Sequence, residues 1–236
     1  AILAATLVSM LQSVFGIDIS SLLERKLNLN AHIHDMGLSA IHPRIGDESI
    51  FNRFERAETI DMMYNTSKNT CHRHLDRIEQ AIITRGCKVR IIISNPANPV
   101  WQYQAIIDGF CPGTDIGGEI RDVMNRINYV VKNMKERVPA PKAGSIELRL
   151  LPCLPTGSIV IVDDEIARYT SYLLYSHSSE VPSFDVLSSR GGILFTTYQQ
   201  TFERAWNQSV EAINVSFSPA NGAQFLRLNL NKSSSE

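Results

Sequence analysis

Apolar side chains recur along this chain with two different periods, and the switches between them mark its elements. From Thr59 the period is two, with Ile60, Met62 and Tyr64 on one side, which predicts a strand ending at the polar loop Asn65-Thr66-Ser67. Leu75, Ile78 and Ile82 then return at helical spacing and predict a helix from about Asn69 to Thr84, with Gly86 at the C-cap. The run KVRIIIS that follows is β-branched, apolar and too short for a helix, as in a strand buried within a sheet. Strand, helix and strand in about 35 residues predict a βαβ unit with a parallel pair.

Beyond it, Asn95 to Gly118 carries Pro96, Pro99, Pro112 and four glycines, which predicts a long irregular loop. A second helix is expected from Glu119 to about Arg137, with Ile120, Val123, Ile127, Val130, Val131 and Met134 on its stripe. IELRLLP, SIVIVD and EIARYTSYLLY read as three strands, the last two joined by a tight Asp163-Asp164 turn, and SFDVLSS adds another. A final helix from about Phe195 to Ala212 would bury Phe195, Tyr198, Phe202, Ala205 and Trp206. The stretch Phe225 to Leu230 alternates weakly before a polar end. The expectation is an α/β domain over residues 58–214 with a mixed, mainly parallel central sheet and flanking helices. Residues 31–57 read as a linker with a short helix packing Ile50, Phe51 and Phe54, and residues 215–236 as a tail.

Residues 1–17 have no charged side chain and only Gln12 as a strongly polar one. As a helix they span about 25 Å, slightly less than a bilayer core. Two readings stay open: a membrane-embedded helix, favoured by the uninterrupted apolar run, or a buried or oligomerising helix with Ile2, Leu3, Thr6, Leu7, Met10, Leu11 and Val14 on one stripe. A signal peptide fits worse, because no basic residue precedes the run and no A-x-A site closes it. On the membrane reading, residues 1–30 are an apolar membrane helix continued by an amphipathic stalk, and the domain beyond is cytoplasmic.

Composition narrows the partners. Lys plus Arg (23) nearly cancel Asp plus Glu (24) in these 236 residues, so no overall field gathers nucleic acid or anionic lipid, and any anion must be met by a local site. Cys71, Cys87, Cys111 and Cys153 show no CxxC spacing and read as reduced thiols. His32 with His34 and Cys71 with His74 have spacings at which two zinc ligands can converge, but neither pair has a third and fourth ligand nearby, so no metal or other cofactor is expected.

In an open α/β sheet, ligands sit beyond the carboxyl ends of the parallel strands. Here those ends are Tyr64 to Asn69 and Ser94 to Asn98, rich in small hydrogen-bonding groups. The first also opens a helix, whose free amides suit an anion such as phosphate. Ordinary N-capping by Ser67 or Asn69 explains the same residues equally well.

The order TIDMMYNTS, helix, KVRIIISNP, long loop and helix, IELRLLP, PTGSIVIVDDEIARYTSYLL and a closing FERAW helix resembles the order of elements in phospholipase D-like domains. The resemblance covers residues 58–214 and implies one half of that fold. Catalytic members carry H-x-K-x4-D on the strand matching Thr156 to Asp163; here Thr156 stands at the His position, Ser158 at the Lys position, and Asp163 matches. The resemblance therefore implies a phosphate-shaped pocket without its nucleophile, since Thr and Ser hydroxyls have no adjacent base in the motif. Asp163 reads equally well as a turn residue. The family pairs two such units, which implies a homo-oligomer.

The expected ligand set is Tyr64, Asn65, Ser67, Asn95, Thr156, Ser158, Tyr169, Tyr172 and His177, with the tyrosines as stacking platforms or core residues and His177 as a stand-in for the missing imidazole. An apolar helix, a stalk and a degenerate domain of this kind are similar to membrane-tethered bacterial proteins, some of them nucleotide-gated effectors of anti-phage defence. The functions left open are a non-catalytic sensor of a nucleotide or short oligonucleotide, a diverged phosphodiesterase or nuclease, and an oligomerisation module.

Overall fold

A computed structural model describes residues 33, 35–43, 48–98, 115–137, 144–172, 181–190, 192–218 and 222–228. Its strands are β1 (Leu38–His42), β2 (Thr59–Met63), β3 (Lys88–Ser94), β4 (Ser145–Leu151), β5 (Gly157–Val162), β6 (Ile166–Ser171), β7 (Ser183–Leu187), β8 (Val210–Ser218) and β9 (Gly222–Leu228). They form one sheet in the order β1-β7-β6-β5-β2-β3-β4-β8-β9. The helices are α1 (Lys68–Arg85), α2 (Ile116–Arg137) and α3 (Ile193–Gln208), with a 3-10 turn at Phe51–Arg56.

The expected βαβ unit is present: α1 joins β2 to β3, which run parallel with Thr59 opposite Lys88 and Met63 opposite Ile92. β4 lies parallel to β3 on its other side. Every other neighbouring pair is antiparallel. The expectation of a mainly parallel sheet is therefore corrected. Only the strands around helical crossovers run parallel, while tight hairpins such as β5–β6 reverse the chain.

One face of the sheet packs against α1 and α2 through Ile60, Met62, Ile91, Ile93, Val160 and Val162. The other meets α3 through Met63, Ile92, Ile159 and Ile161. Central strands are thus buried on both faces, and that is why KVRIIIS and SIVIV are continuous apolar runs rather than alternating ones. α1 ends where Gly86, at φ +73°, turns its amide back onto the carbonyls of Ala81 and Ile82, a left-handed closure that favours glycine.

Four boundaries differ from expectation, the first being the domain's end: β8 runs on to Ser218 and pairs with β9 (Gly222–Leu228), inside the stretch read as a tail. α2 begins at Ile116, taking in Gly117 and Gly118, because the Asp115 carboxylate accepts the Gly118 amide at 2.7 Å and caps the first turn. α3 stops at Gln208, where Ser209 is extended at ψ 152°, and Ala212 lies in β8, paired with β4. β1 falls inside the stretch read as a linker and is held to β7. Residues 1–17 and the stalk to residue 30 lie outside the described residues, so the membrane expectation is not addressed by them. Among the described residues no helix is long and apolar enough to cross a membrane.

The segment before β2 docks on α1 through His74, whose ring stacks on Phe51 at 4.3 Å and meets Phe54 edge-on. His74 is 4% exposed and its Nδ1 has no partner, so burial holds its pKa below the ordinary value near 6.5, against the pull of Glu48 with Nε2 3.8 Å from its carboxylate. The unfolded chain therefore takes up this proton before the folded one does, and stability rises with pH between the lowered folded value and 6.5. Urea unfolding at pH 5 and pH 7.5 should show a loss on acidification that is smaller in His74→Phe; equal losses in the two proteins would exclude His74 as its source.

Candidate functional site

The carboxyl ends of β2 and β3 lie side by side, with the Ser94 amide donating to the Asn65 carbonyl at 3.1 Å. Alternation along β2 places Tyr64 with Ile60 and Met62 on the α1 face, and Asn65 with Met63 on the α3 face. The Tyr64 hydroxyl, Asn65 Oδ1 and Ser94 Oγ are all buried without a hydrogen-bonding partner. Each such atom costs about 1–3 kcal/mol when unmet, so three at one sheet edge mark a place suited to outside polar groups. Burial pushes the Tyr64 phenol far above its usual pKa, so it stays a protonated donor at neutral pH.

β5 adds the next wall. Ser158 shares the parity of Val160 and Val162, so it faces α1 with Tyr64; it pairs with Thr170 and is 6% exposed. Thr156, just before the strand, is exposed, and its carbonyl accepts the Tyr172 amide at 2.9 Å. The Tyr172 hydroxyl in turn accepts the Asn65 amide at 3.2 Å. These residues lie at one end of the sheet, Tyr64 and Ser158 on the α1 face and Asn65 and Ser94 on the α3 face, with the Tyr172 hydroxyl reaching the Asn65 amide.

Ser67, Asn95 and Tyr169 are engaged elsewhere. Ser67 is buried in a left-handed conformation with its Oγ 3.4 Å from Cys71 Sγ, and it does not cap α1. Burial raises the Cys71 thiol pKa, so it is a poor nucleophile. Asn95 spends its Oδ1 on the amide of Ala97, closing its own turn at 2.9 Å. Tyr169 stacks on Tyr198 of α3 at 4.8 Å, on the face opposite Ser158, because it is one residue out of phase with Thr170. His177, His32 and His34 lie outside the described residues.

Asp163 is held by the fold. Its Oδ1 accepts the amides of Glu58 at 2.7 Å and Thr59 at 2.9 Å, pinning the start of β2 to the β5–β6 turn, where Asp163 and Asp164 both have positive φ. Five residues of extended chain, about 17 Å, separate it from Ser158. Among the described residues no group of three or more His, Cys, Asp or Glu could hold a metal, and Cys71 and His74 each have other neighbours.

A second polar cluster gave little sign of itself in the sequence. Arg168 Nε lies 2.6 Å from Asp185 Oδ1, its Nη2 lies 2.8 Å from both Asp185 Oδ2 and Ser49 Oγ, and His42 Nε2 is 2.8 Å from Asp185 Oδ2. The available signal was one charge inside each of the short strands IARYTS and SFDVL.

No protein-family profile and no curated protein matches the chain. Solved structures similar to it include the archaeal chromatin protein TrmBL2, with 13% identity, a TM-score of 0.44, and coverage of 87% of this chain and 68% of that one. They also include the phospholipase D family member Nuc from Salmonella typhimurium, with 15% identity, a TM-score of 0.40, and coverage of 73% of this chain and 97% of that one. Phosphatidylserine synthase from Haemophilus influenzae Rd KW20 shares 14% identity at a TM-score of 0.42, over 72% of this chain and 38% of that one.

Proposed function

We propose that residues 58–214 form a phospholipase D-like unit that binds a phosphate-containing ligand, a nucleotide or short oligonucleotide, without hydrolysing it. The observation that carries this reading is the end of the sheet beyond β2 and β3, where Tyr64, Asn65 and Ser94 each have an unmet buried polar atom and Ser158 of β5 lies alongside. Of the cations nearby, Lys68, at the start of α1, is paired with Glu119 at 2.7 Å, and Arg168, whose charge acts on the Tyr64 phenol, is paired with Asp185. With Thr156 and Ser158 at the family's His and Lys positions, a bound phosphodiester meets hydrogen-bond donors but no activated nucleophile.

Neutral donors hold phosphate about half as strongly as charged ones. Affinity then comes from the bases of the ligand or from repeated sites in a homo-oligomer. In the wider proposal, residues 1–17 tether the protein to a bacterial inner membrane with the domain cytoplasmic, and occupancy is passed to the membrane segment in anti-phage defence. This last step rests on the likeness of the sequence layout alone.

The test is to incubate the full chain with fluorescein-labelled oligonucleotides and with inorganic phosphate. Binding without cleavage is expected, weakened about five-fold by Asn65→Ala and by Ser158→Ala, the worth of one neutral hydrogen bond. Metal-independent cleavage lost on His177→Ala would establish a phosphodiesterase instead. Unchanged binding in both variants would move the site elsewhere, and no binding at all would leave an oligomerisation module.

A further inference from the structure

Along β2, the amides of alternate residues point to opposite neighbours. The Tyr64 amide donates to the Ile92 carbonyl of β3, so that of Asn65 points towards β5. The β2–β5 ladder has ended by then, its last pair being Met63 with Ile159. The Asn65 amide is met instead by a side chain from just past the end of β6, two strands away: the hydroxyl of Tyr172, at 3.2 Å. Two strand spacings are about 10 Å, so the Tyr172 side chain must cross the start of β5, where Thr156 and Ser158 lie. Its own amide is fixed to the Thr156 carbonyl at 2.9 Å, which sets the direction of that crossing. Ser158, polar and near a strand end, is only 6% exposed.

An oxygen atom of the protein therefore already occupies the backbone donor at the edge where the ligand is proposed to bind. We propose that Tyr172 is a built-in competitor: its hydroxyl holds the Asn65 amide in place of a ligand oxygen, and a phosphate-bearing ligand binds by displacing it. This rests on the phosphate-binding reading of the site. The contact is suited to exchange, because a neutral hydrogen bond of 3.2 Å is at the long end of the usual range, and a phosphate oxygen makes a shorter and stronger bond with the same amide. The Asn65 Oδ1, Tyr64 hydroxyl and Ser94 Oγ nearby are the groups left unmet while Tyr172 is in place.

Tyr172→Phe tests this, since it keeps the ring and removes only the competing oxygen. With the full chain, the affinity for inorganic phosphate and for a fluorescein-labelled oligothymidylate should rise about five-fold, the factor set by one neutral hydrogen bond. In the 15N-labelled parent, adding phosphate should move the Asn65 amide resonance, and Tyr172→Phe should move the same resonance without phosphate. A variant that binds as the parent does, or more weakly, overturns the competitor role while leaving the site reading intact. Failure of both parent and Tyr172→Phe to bind either probe refutes the site reading itself, and binding by the variant alone supports both.

Discussion

Asp185→Ala is expected to lower the stability of the domain by about 3–5 kcal/mol, because it takes from the buried Arg168 guanidinium the carboxylate that meets two of its nitrogens. The side chains of Arg168 and Asp185 are 4% and 5% exposed and joined by two hydrogen bonds of 2.6 and 2.8 Å. The pair also ties three strands together. Arg168 is on β6, Asp185 on β7, and His42 on the edge strand β1 reaches the same carboxylate. A buried ion pair is weak evidence of net stabilisation, however, since both charges lose their water. Replacing both partners, as Arg168→Met with Asp185→Leu, should therefore recover most of the loss, leaving His42 and Ser49 to find other partners. Urea unfolding of parent, single and double variants decides the matter: a single-variant loss below about 1 kcal/mol would mean that water or other groups meet Arg168 once Asp185 is gone.

Much of the central architecture can be read from local pattern. β2, α1, β3 and β4 follow from the change of period and from runs of β-branched residues, because each is buried by elements close to it in sequence or covered on both faces. β1 could not be read this way. It is five residues long, sits among Gly, Pro and His, and its partner β7 begins at Ser183, so nothing local marks it. β8 was hidden differently: Ala212 continues the small and apolar spacing of α3, and only the extended Ser209 separates them.

The site was legible to the same extent. The ends of parallel strands point to Tyr64, Asn65 and the Ser94 to Asn98 stretch, and that edge is where the unmet polar atoms lie. The two tyrosines differ in place: Tyr169, within β6, stacks on Tyr198 of α3, while Tyr172, just past the strand, reaches the Asn65 amide. Ser67 and Asn95 are engaged in their own turns, which is less readable from sequence. Small polar side chains bond as readily to their own turn as to a ligand, and only coordinates show that Asn95 closes on Ala97 and Ser67 turns towards Cys71.

Phe202→Ala should cost about 3–5 kcal/mol, because the ring is fully buried and its loss opens a cavity beneath α3. Its neighbours make collapse of that cavity difficult. Trp206 stacks beside it at 5.9 Å, and the Arg90 guanidinium lies over both rings, 4.9 Å from Phe202 and 5.2 Å from Trp206. Arg90 is itself held in place by Asp61 on β2 and Glu203 on α3, each at 2.7 Å, so it cannot follow a shrinking side chain. Trp206 is fixed from its other side by Arg149, 4.2 Å from the ring, whose guanidinium also donates to the Trp206 carbonyl. Phe202→Leu, which keeps most of the volume and loses only the contact with the cation, should cost clearly less than the alanine variant. α3 covers the face opposite Tyr64 and Ser158, so Phe202→Leu should leave unchanged the weakening of binding caused by Ser158→Ala. Unfolding by urea, with binding measured on the folded variants, tests both statements. An alanine variant within about 1.5 kcal/mol of the parent would show that α3 moves in to fill the space, and that the cage around Arg90 is looser than its short bonds imply.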